Sequence, residues 1–307
     1  VRQYLDKQKV QPRDPRLRVC SITGGQIKSD DAMAEAREAL ARVNHYSYAA
    51  LERERVAYEK IYKPVTILPP DQYLALYLQA TEGCTYNACS FCGFYRDRRF
   101  HIKSLEEFRQ HILAVRGFFG GGLSLRRSIF LGDANALMIP QQTLRAMFDE
   151  INQQFSIQPR HQTKAEEDIW RAAHPIYFNG IYSFVDAFST RRKTIQDFQE
   201  LSERGLRRVY LGLESGDPEL LHFMGKPHSV QDVEQLVTHL KHAGVAVGLV
   251  ILVGAGGDKY QDTHITGTVN LVNSLPLDQH DLIYFSELID YPGSTTPNWR
   301  RNQGFIR

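Results

Sequence analysis

Apolar positions along the chain fall into two alternating periods. Tyr73–Thr81 (YLALYLQAT) is a mostly apolar run suited to a strand buried on both faces, and further runs cover 127–131, 177–184, 208–214, 245–253 and 281–288. Between them lie helical patterns. Leu105, Phe108, Ile112 and Val115 follow a Ser104-x-x-Glu107 capping box, and Pro140 opens a helix carrying Leu144, Met147, Phe148 and Ile151. Thr194 and Ser229 cap two more, ended by Gly205 and Gly244. Six strand-helix units of this kind predict an α/β fold: a parallel sheet curled into a partial (β/α)6 TIM-like barrel with its functional loops at one rim.

Ahead of this region the chain reads differently. Residues 1–29 carry Pro12, Pro15 and a Thr23-Gly24-Gly25 turn, which suggests an irregular arm. Met33, Ala36, Leu40 and Val43 then follow a helical spacing, a second helix is expected over 48–60, and Pro64, Pro69 and Pro70 close the segment. Residues 1–70 are therefore expected to form a mainly helical extension, 71–293 the barrel and 294–307 a tail. The polar stretch 156–176, with His161, Trp170 and His174, is expected to be a structural link on the face opposite the strand C-termini.

Composition narrows the class. In 307 residues with 42% apolar content the chain can bury a sizeable core, and a formal charge of +2 gives no argument for a nucleic-acid partner. No basic stripe with interleaved aromatics stands out. No run approaches the ~18 apolar residues of a membrane span, so a cytoplasmic location without membrane contact is expected. The chain begins at Val1 rather than Met, consistent with a piece of a longer product.

The chemistry concentrates in Thr81–Arg99, where Cys84, Cys89 and Cys92 supply three of the chain's four cysteines. Three thiolates in one loop with no fourth nearby suit a cubic iron-sulfur cluster that keeps one iron free of protein ligation. A structural zinc would need a fourth ligand from Cys20 or a histidine such as His101, and a strained Cys89–Cys92 disulfide is less favourable still. Cys20, in LRVCSI, reads as a small buried hydrophobe.

The loop resembles that of the radical S-adenosylmethionine (radical SAM) enzymes, in which three cysteines hold a [4Fe-4S] cluster and SAM chelates the fourth iron. Phe91 stands at the aromatic position of the last pair, although four residues rather than the commoner three separate Cys84 from Cys89. The resemblance covers about residues 72–293. It implies that Phe91 contacts adenine through its backbone and that Gly132-Asp133 meets the SAM amino group by side chain or backbone carbonyl. It further implies that Glu214 reaches the ribose hydroxyls and that Val250, Leu252 and Gly254 belong to an adenine platform. Ser183, Arg191 and Arg192 are candidates for the SAM carboxylate, while Tyr182, His264, Tyr284, Ser286, Asp290 and Tyr291 are rim positions, with His264 expected at the surface.

In activity, the resemblance implies an oxygen-sensitive enzyme that passes one electron to SAM and uses the resulting 5′-deoxyadenosyl radical to abstract hydrogen from a small molecule. Such an enzyme takes its electron from a donor such as flavodoxin or ferredoxin. A cluster protein that only transfers electrons, or a zinc-stabilised barrel, are the alternatives. With only Cys20 left over, a second cluster of three or four cysteines is disfavoured.

Overall fold

A computed structural model describes residues 46–160 and 163–289, together with positions 37, 38, 40, 41 and 43, which are helical. The expected arm with Cys20, most of the 29–43 helix, His161, Asp290, Tyr291 and the tail lie outside the described residues. The chain divides into two units, Val1–Lys63 and Pro64–Arg307, an earlier division than the expected boundary at residue 70. In the first, helix α1 (Tyr48–Ile61) is capped by Ser47, whose side chain accepts the Ala50 N–H, and buries none of its residues. Its surface carries an Arg55–Glu52 ion pair at 2.6 Å.

In the second unit the aliphatic runs become the sheet. Strands β1 (Ala75–Gln79), β4 (Ser128–Gly132), β5 (Ile181–Val185), β6 (Leu206–Glu214), β7 (Ala246–Val253) and β8 (Leu282–Glu287) pair in that order. All five pairings are parallel. A short hairpin, β2 (Thr81–Glu82) with β3 (His101–Ile102), brackets the cysteine loop. Every residue of β1 and β4 is buried, as a strand covered on both faces requires.

The helices α2 (Leu105–Phe119), α3 (Gln141–Gln154), α5 (Ile195–Glu203), α7 (Val230–His242) and α8 (Gln261–Ser274) connect the strands. Capping boxes open α2 at Ser104, α5 at Thr194 and α7 at Ser229, as their spacing predicts. Two helices go beyond the sequence expectation. The polar link contains α4 (Lys164–Ala173), opened by a Thr163/Glu166 box, with Trp170 stacked on His174 at 4.1 Å. The short α6 (Pro218–Phe223) follows β6 directly and brings the chain back toward the cysteine loop.

One face of the sheet carries a row of rings across five strands. Tyr77 stacks on Phe130 at 5.9 Å, Phe130 meets Phe184 at 5.1 Å, Phe184 meets Tyr210 at 6.2 Å, and Tyr210 meets Tyr284 at 6.3 Å. This is the inner face. At its lower end, the N-terminal end of the strands, Asp71 accepts hydrogen bonds from Tyr210 (2.6 Å) and Tyr284 (2.7 Å) and pairs with Arg208 at 3.2 Å. Gln72 accepts from Ser128 Oγ at 2.7 Å, so this one turn laces β4, β6 and β8 together. The opposite end of the sheet is left for the polar loops.

Candidate active site

The cysteine loop leaves the sheet just after β1 and β2, and its three thiols are free and half-buried. Local turns set its shape. Asn87 adopts a left-handed φ of 49°, its N–H donates to Cys84 Sγ at 3.4 Å, and the Cys92 N–H donates to the Cys89 carbonyl at 3.3 Å. Ser90 fastens the loop to the end of α6, since its N–H and its hydroxyl both donate to the Met224 carbonyl, at 3.0 and 3.1 Å. Phe91 packs against the buried cluster of Leu220, Leu221, Met224, Leu252, Ala255, Tyr260 and Leu288, which draws in side chains from β7 and α6.

Burial pushes the Cys89 thiol up to about 11, helped by charge on Cys92, Glu214 and Cys84 and opposed by Lys226. Cys92 is raised by burial too, less so because a backbone hydrogen bond at Phe94 favours its thiolate. Thiols in this condition need a metal or a cation to ionise. Among the described residues no three His, Cys, Asp or Glu side chains converge as the ligands of a single ion do. A cubane makes a different demand, because each cysteine binds its own iron corner. Three thiols in one loop, with no fourth ligand converging on them among the described residues, suit that donor set.

Glu214 is held by an arrangement that the backbone builds around it. The β6–β7 register shifts between Gly212 and Glu214, and Glu214 has a positive φ of 60° while the Ser215 N–H returns to the Leu213 carbonyl at 2.7 Å. That tight turn throws the carboxylate back over Gly212, where an added Cβ would stand 2.5 Å from Glu214 Oε1. Lys226 completes the site at 3.0 Å from the same oxygen and 3.2 Å from the Gly212 carbonyl. Its ammonium also lies 5.8 Å from the centre of the Phe91 ring. Burial works against its charge, but the charge and hydrogen bond of Glu214 work for it and hold the lysine above its ordinary range.

Gly132 and Asp133 end β4 beside the start of the loop. A Cβ at Gly132 would sit 2.0 Å from Tyr77 Oη, so only glycine lets that tyrosine reach Asp133. Asp133 is fully buried, accepts from Tyr77 Oη at 2.6 Å and from the Gly83 N–H at 3.0 Å, and lies 3.5 Å from Arg98. Burial raises its carboxyl above the usual range against the pull of those partners.

The residues expected to form an adenine platform lie along and just past the second half of β7. Val250 pairs with Gly212 and Tyr284, and Leu252 with Ser286, so both lie on the inner face, and Gly254 turns the chain out of β7 with φ 80°.

Other sequence candidates are placed elsewhere. Ser183 is buried on the sheet face opposite Phe184, and its hydroxyl donates to the Leu131 carbonyl at 2.8 Å, which turns it away from the rim. Arg191 is exposed and paired with Asp232 at 2.6 Å, and Arg192 is exposed. Tyr182 sits low on β5 against a cavity of about 800 Å³ with Arg207 and Arg208, and Tyr284 donates to Asp71, so neither belongs to the rim. His264 is buried rather than at the surface, because its Nδ1 meets Ser215 Oγ at 2.8 Å and ties α8 to the turn that carries Glu214. Ser286 is exposed at the upper end of β8.

Two groups escape a reading of the sequence. Lys226 lies in a Gly-Lys-Pro-His turn without periodicity. Asn135 is buried at the end of β4, where its Nδ2 donates to Asp186 Oδ2 at 2.6 Å and to Ser189 Oγ at 2.7 Å. Its Oδ1 is buried with no partner among the described residues. Only the fold brings these residues to the rim, although the Asn in Gly-Asp-Ala-Asn after a strand is a signal that could have pointed there.

Comparison with known proteins gives this geometry a context. The family model of the radical SAM superfamily matches residues 78–271. A solved structure of the radical S-adenosylmethionine methyltransferase TsrM from Kitasatospora setae, with cobalamin and a [4Fe-4S] cluster bound, is 18% identical with a TM-score of 0.50. That match covers 77% of this chain and 42% of the TsrM chain. Coproporphyrinogen III oxidase (HemN) from Escherichia coli, a radical SAM enzyme, is 14% identical over 78% of this chain and 48% of its own, with a TM-score of 0.47. Methylornithine synthase (PylB) is 15% identical over 81% and 63%, with a TM-score of 0.46. The chain thus spans less than two thirds of each, and at such identity the likeness to TsrM shows the fold alone. No curated protein matches the sequence.

Proposed function

The chain belongs to the radical SAM superfamily, and from that premise we propose that it is an enzyme whose [4Fe-4S] cluster and SAM act on a small-molecule substrate by hydrogen abstraction. The observation that carries this reading is the meeting, at one end of the barrel, of three free thiols with a largely buried Glu214–Lys226 pair that Gly212 makes room for. When bound, cluster and SAM supply reductive cleavage of a sulfonium and a carbon radical able to take hydrogen from an unactivated position.

The chain's own residues do the rest. Cys84, Cys89 and Cys92 hold three corners of the cluster. Glu214 keeps acceptor capacity beyond its contact with Lys226, and a carboxylate with about four lone-pair sites suits two ribose hydroxyls. Lys226, cationic and largely buried, is suited to the SAM carboxylate, the task that the resemblance gave to Ser183, Arg191 and Arg192. Val250 and Leu252 offer an apolar wall for adenine, and Phe91 closes that wall on the loop side. The buried inner-face rings of Phe130 and Tyr210, with half-buried Phe184 beside them, fill the barrel below and keep bulk water from a reactive species. An external donor such as flavodoxin or ferredoxin supplies the electron. No helix among the described residues is long and apolar enough to cross a membrane.

The test is anaerobic reconstitution with iron and sulfide, reduction, and addition of SAM. Methionine and 5′-deoxyadenosine released in equal amounts are the expected result. A cluster that forms but never cleaves SAM would favour an electron carrier, and stoichiometric zinc without iron would reject both.

A further inference from the structure

The carboxylate that closes β4 faces the polypeptide on every side. Asp133 Oδ1 accepts from Tyr77 Oη, while Oδ2 accepts from the Gly83 N–H, one residue before Cys84. The same Oδ2 lies 3.5 Å from Arg98 Nη1, beyond Cys92 on the far side of the loop. Its backbone N–H donates to Thr81 Oγ1 at 2.8 Å. Both ends of the cysteine loop therefore converge on one buried carboxylate, which keeps little acceptor capacity and no exposed face for a ligand.

Two residues further on, the situation is reversed. The Asn135 amide is oriented by two acceptors, Asp186 Oδ2 and Ser189 Oγ, and the Ser189 hydroxyl in turn donates to Asp186 Oδ1 at 2.7 Å. With Nδ2 committed, Asn135 Oδ1 is left as a buried acceptor with no partner among the described residues. Asp186 directly follows the last residue of β5, which places it at the same rim. An orphaned carbonyl oxygen next to a carboxylate is the complement of an ammonium group, which has three donors and no acceptor.

We infer that Asp133 is a positioning residue that clamps the two ends of the cluster loop, and that the ammonium group of SAM is received by Asn135 and Asp186. The inference deepens the proposed function and rests on it.

The experiment uses the full chain, reconstituted anaerobically, with iron content and visible absorbance as one readout. The other is equilibrium binding of S-adenosylhomocysteine and of its desamino analogue. Asp133→Asn takes up less than half the wild-type iron and yields it faster to a chelator. Tyr77→Phe, which removes one donor to Asp133 and keeps the ring stacked on Phe130, changes iron uptake in the same direction if the aspartate variant does not fold. Asn135→Ala and Asp186→Asn keep the wild-type iron content and bind S-adenosylhomocysteine about tenfold more weakly, the size of one lost charged hydrogen bond. Their affinity for the desamino analogue is unchanged.

Full iron in Asp133→Asn together with a lost preference for the amino ligand would place Asp133 on SAM and overturn the inference. Unchanged binding in both Asn135→Ala and Asp186→Asn would remove the proposed ammonium site. A wild-type chain that assembles no cluster would instead overturn the reading on which the inference rests.

Discussion

Replacing Gly212 by alanine separates ligand recognition from folding. The new Cβ lands 2.5 Å from Glu214 Oε1 and 3.3 Å from Lys226 Nζ, so the carboxylate has to retreat by about 0.9 Å to reach ordinary contact at 3.4 Å. Glu214 cannot move freely, because its positive φ and its 3.0 Å bridge to Lys226 fix where the side chain starts and where it points. A carboxylate displaced by that amount loses the geometry of its hydrogen bonds to a ribose. Charged hydrogen bonds contribute about 1.5–3 kcal/mol each, and partial loss of two costs about 2–3 kcal/mol, or roughly 30- to 150-fold in dissociation constant.

The clash falls on the tip of a side chain rather than on backbone, so the cost to folding stays within about 1–2 kcal/mol. Iron uptake should be unchanged, since the cysteine loop does not touch this Cβ position. The assay is equilibrium binding of S-adenosylhomocysteine to the reconstituted variant, with iron content and a melting curve measured on the same sample. Affinity within twofold of wild type, with the fold and the iron intact, would refute the assignment of Glu214 to the ribose. Loss of iron would refute the claim that the two parts of the site can be addressed separately.

The same geometry sets other expectations. Cys84→Ala, Cys89→Ala and Cys92→Ala should each abolish cluster binding, whereas Cys20→Ala should leave iron content as in wild type; iron analysis after reconstitution checks both. Asp71→Asn weakens the bonds from Tyr210 and Tyr284 at the lower end of the barrel and should cost about 2 kcal/mol in denaturant unfolding, with S-adenosylhomocysteine affinity unchanged. Burial and the nearby Lys226 push His228 down to about 4 from an ordinary 6.5. Its folded pKa is depressed, so the unfolded chain takes up the proton first and stability is lost as pH falls from about 6.5 to about 4. Relative to a His228→Gln variant, wild type should lose about 3 kcal/mol over that interval in urea unfolding, and parallel curves would contradict the burial argument.

The sheet and the cysteine loop are legible in the sequence because their signals are local. Strands buried on both faces spell uninterrupted aliphatic runs, capping boxes spell their own spacing, and three cysteines in nine residues need no partner elsewhere to be noticed. The features that escape depend on position along a strand and on crossings between strands. Strand membership alone suggests the rim for Tyr182 and Tyr284, but each sits several residues before its strand's end. A rise of about 3.3 Å per residue puts them well below the rim. Ser183 is lost to parity, since an alternation of two tells which residues share a face but not which face looks inward. Arg191 and His264 find their partners, Asp232 and Ser215, some forty to fifty residues away in sequence.

The anchors of the cysteine loop explain why a change within the loop should also be felt at the nucleotide site, although substitutions on the nucleotide side leave the thiols in place. Gly83 hangs from Asp133 at the end of β4, Ser90 from the Met224 carbonyl after β6, and Phe91 inserts among side chains that include Leu252 of β7. Each anchor therefore ends on a segment that also presents a candidate SAM contact: Asn135 after β4, Lys226 two residues past Met224, and Leu252 itself. A loop that settles on these three points places its thiols and sets the neighbouring contacts at once. A change in the seat of Ser90 then reaches the nucleotide pocket without touching it. The Asp71 network, at the far end of the same strands, lies outside this coupling, and that separation makes its variant a proper control for substitutions at the rim.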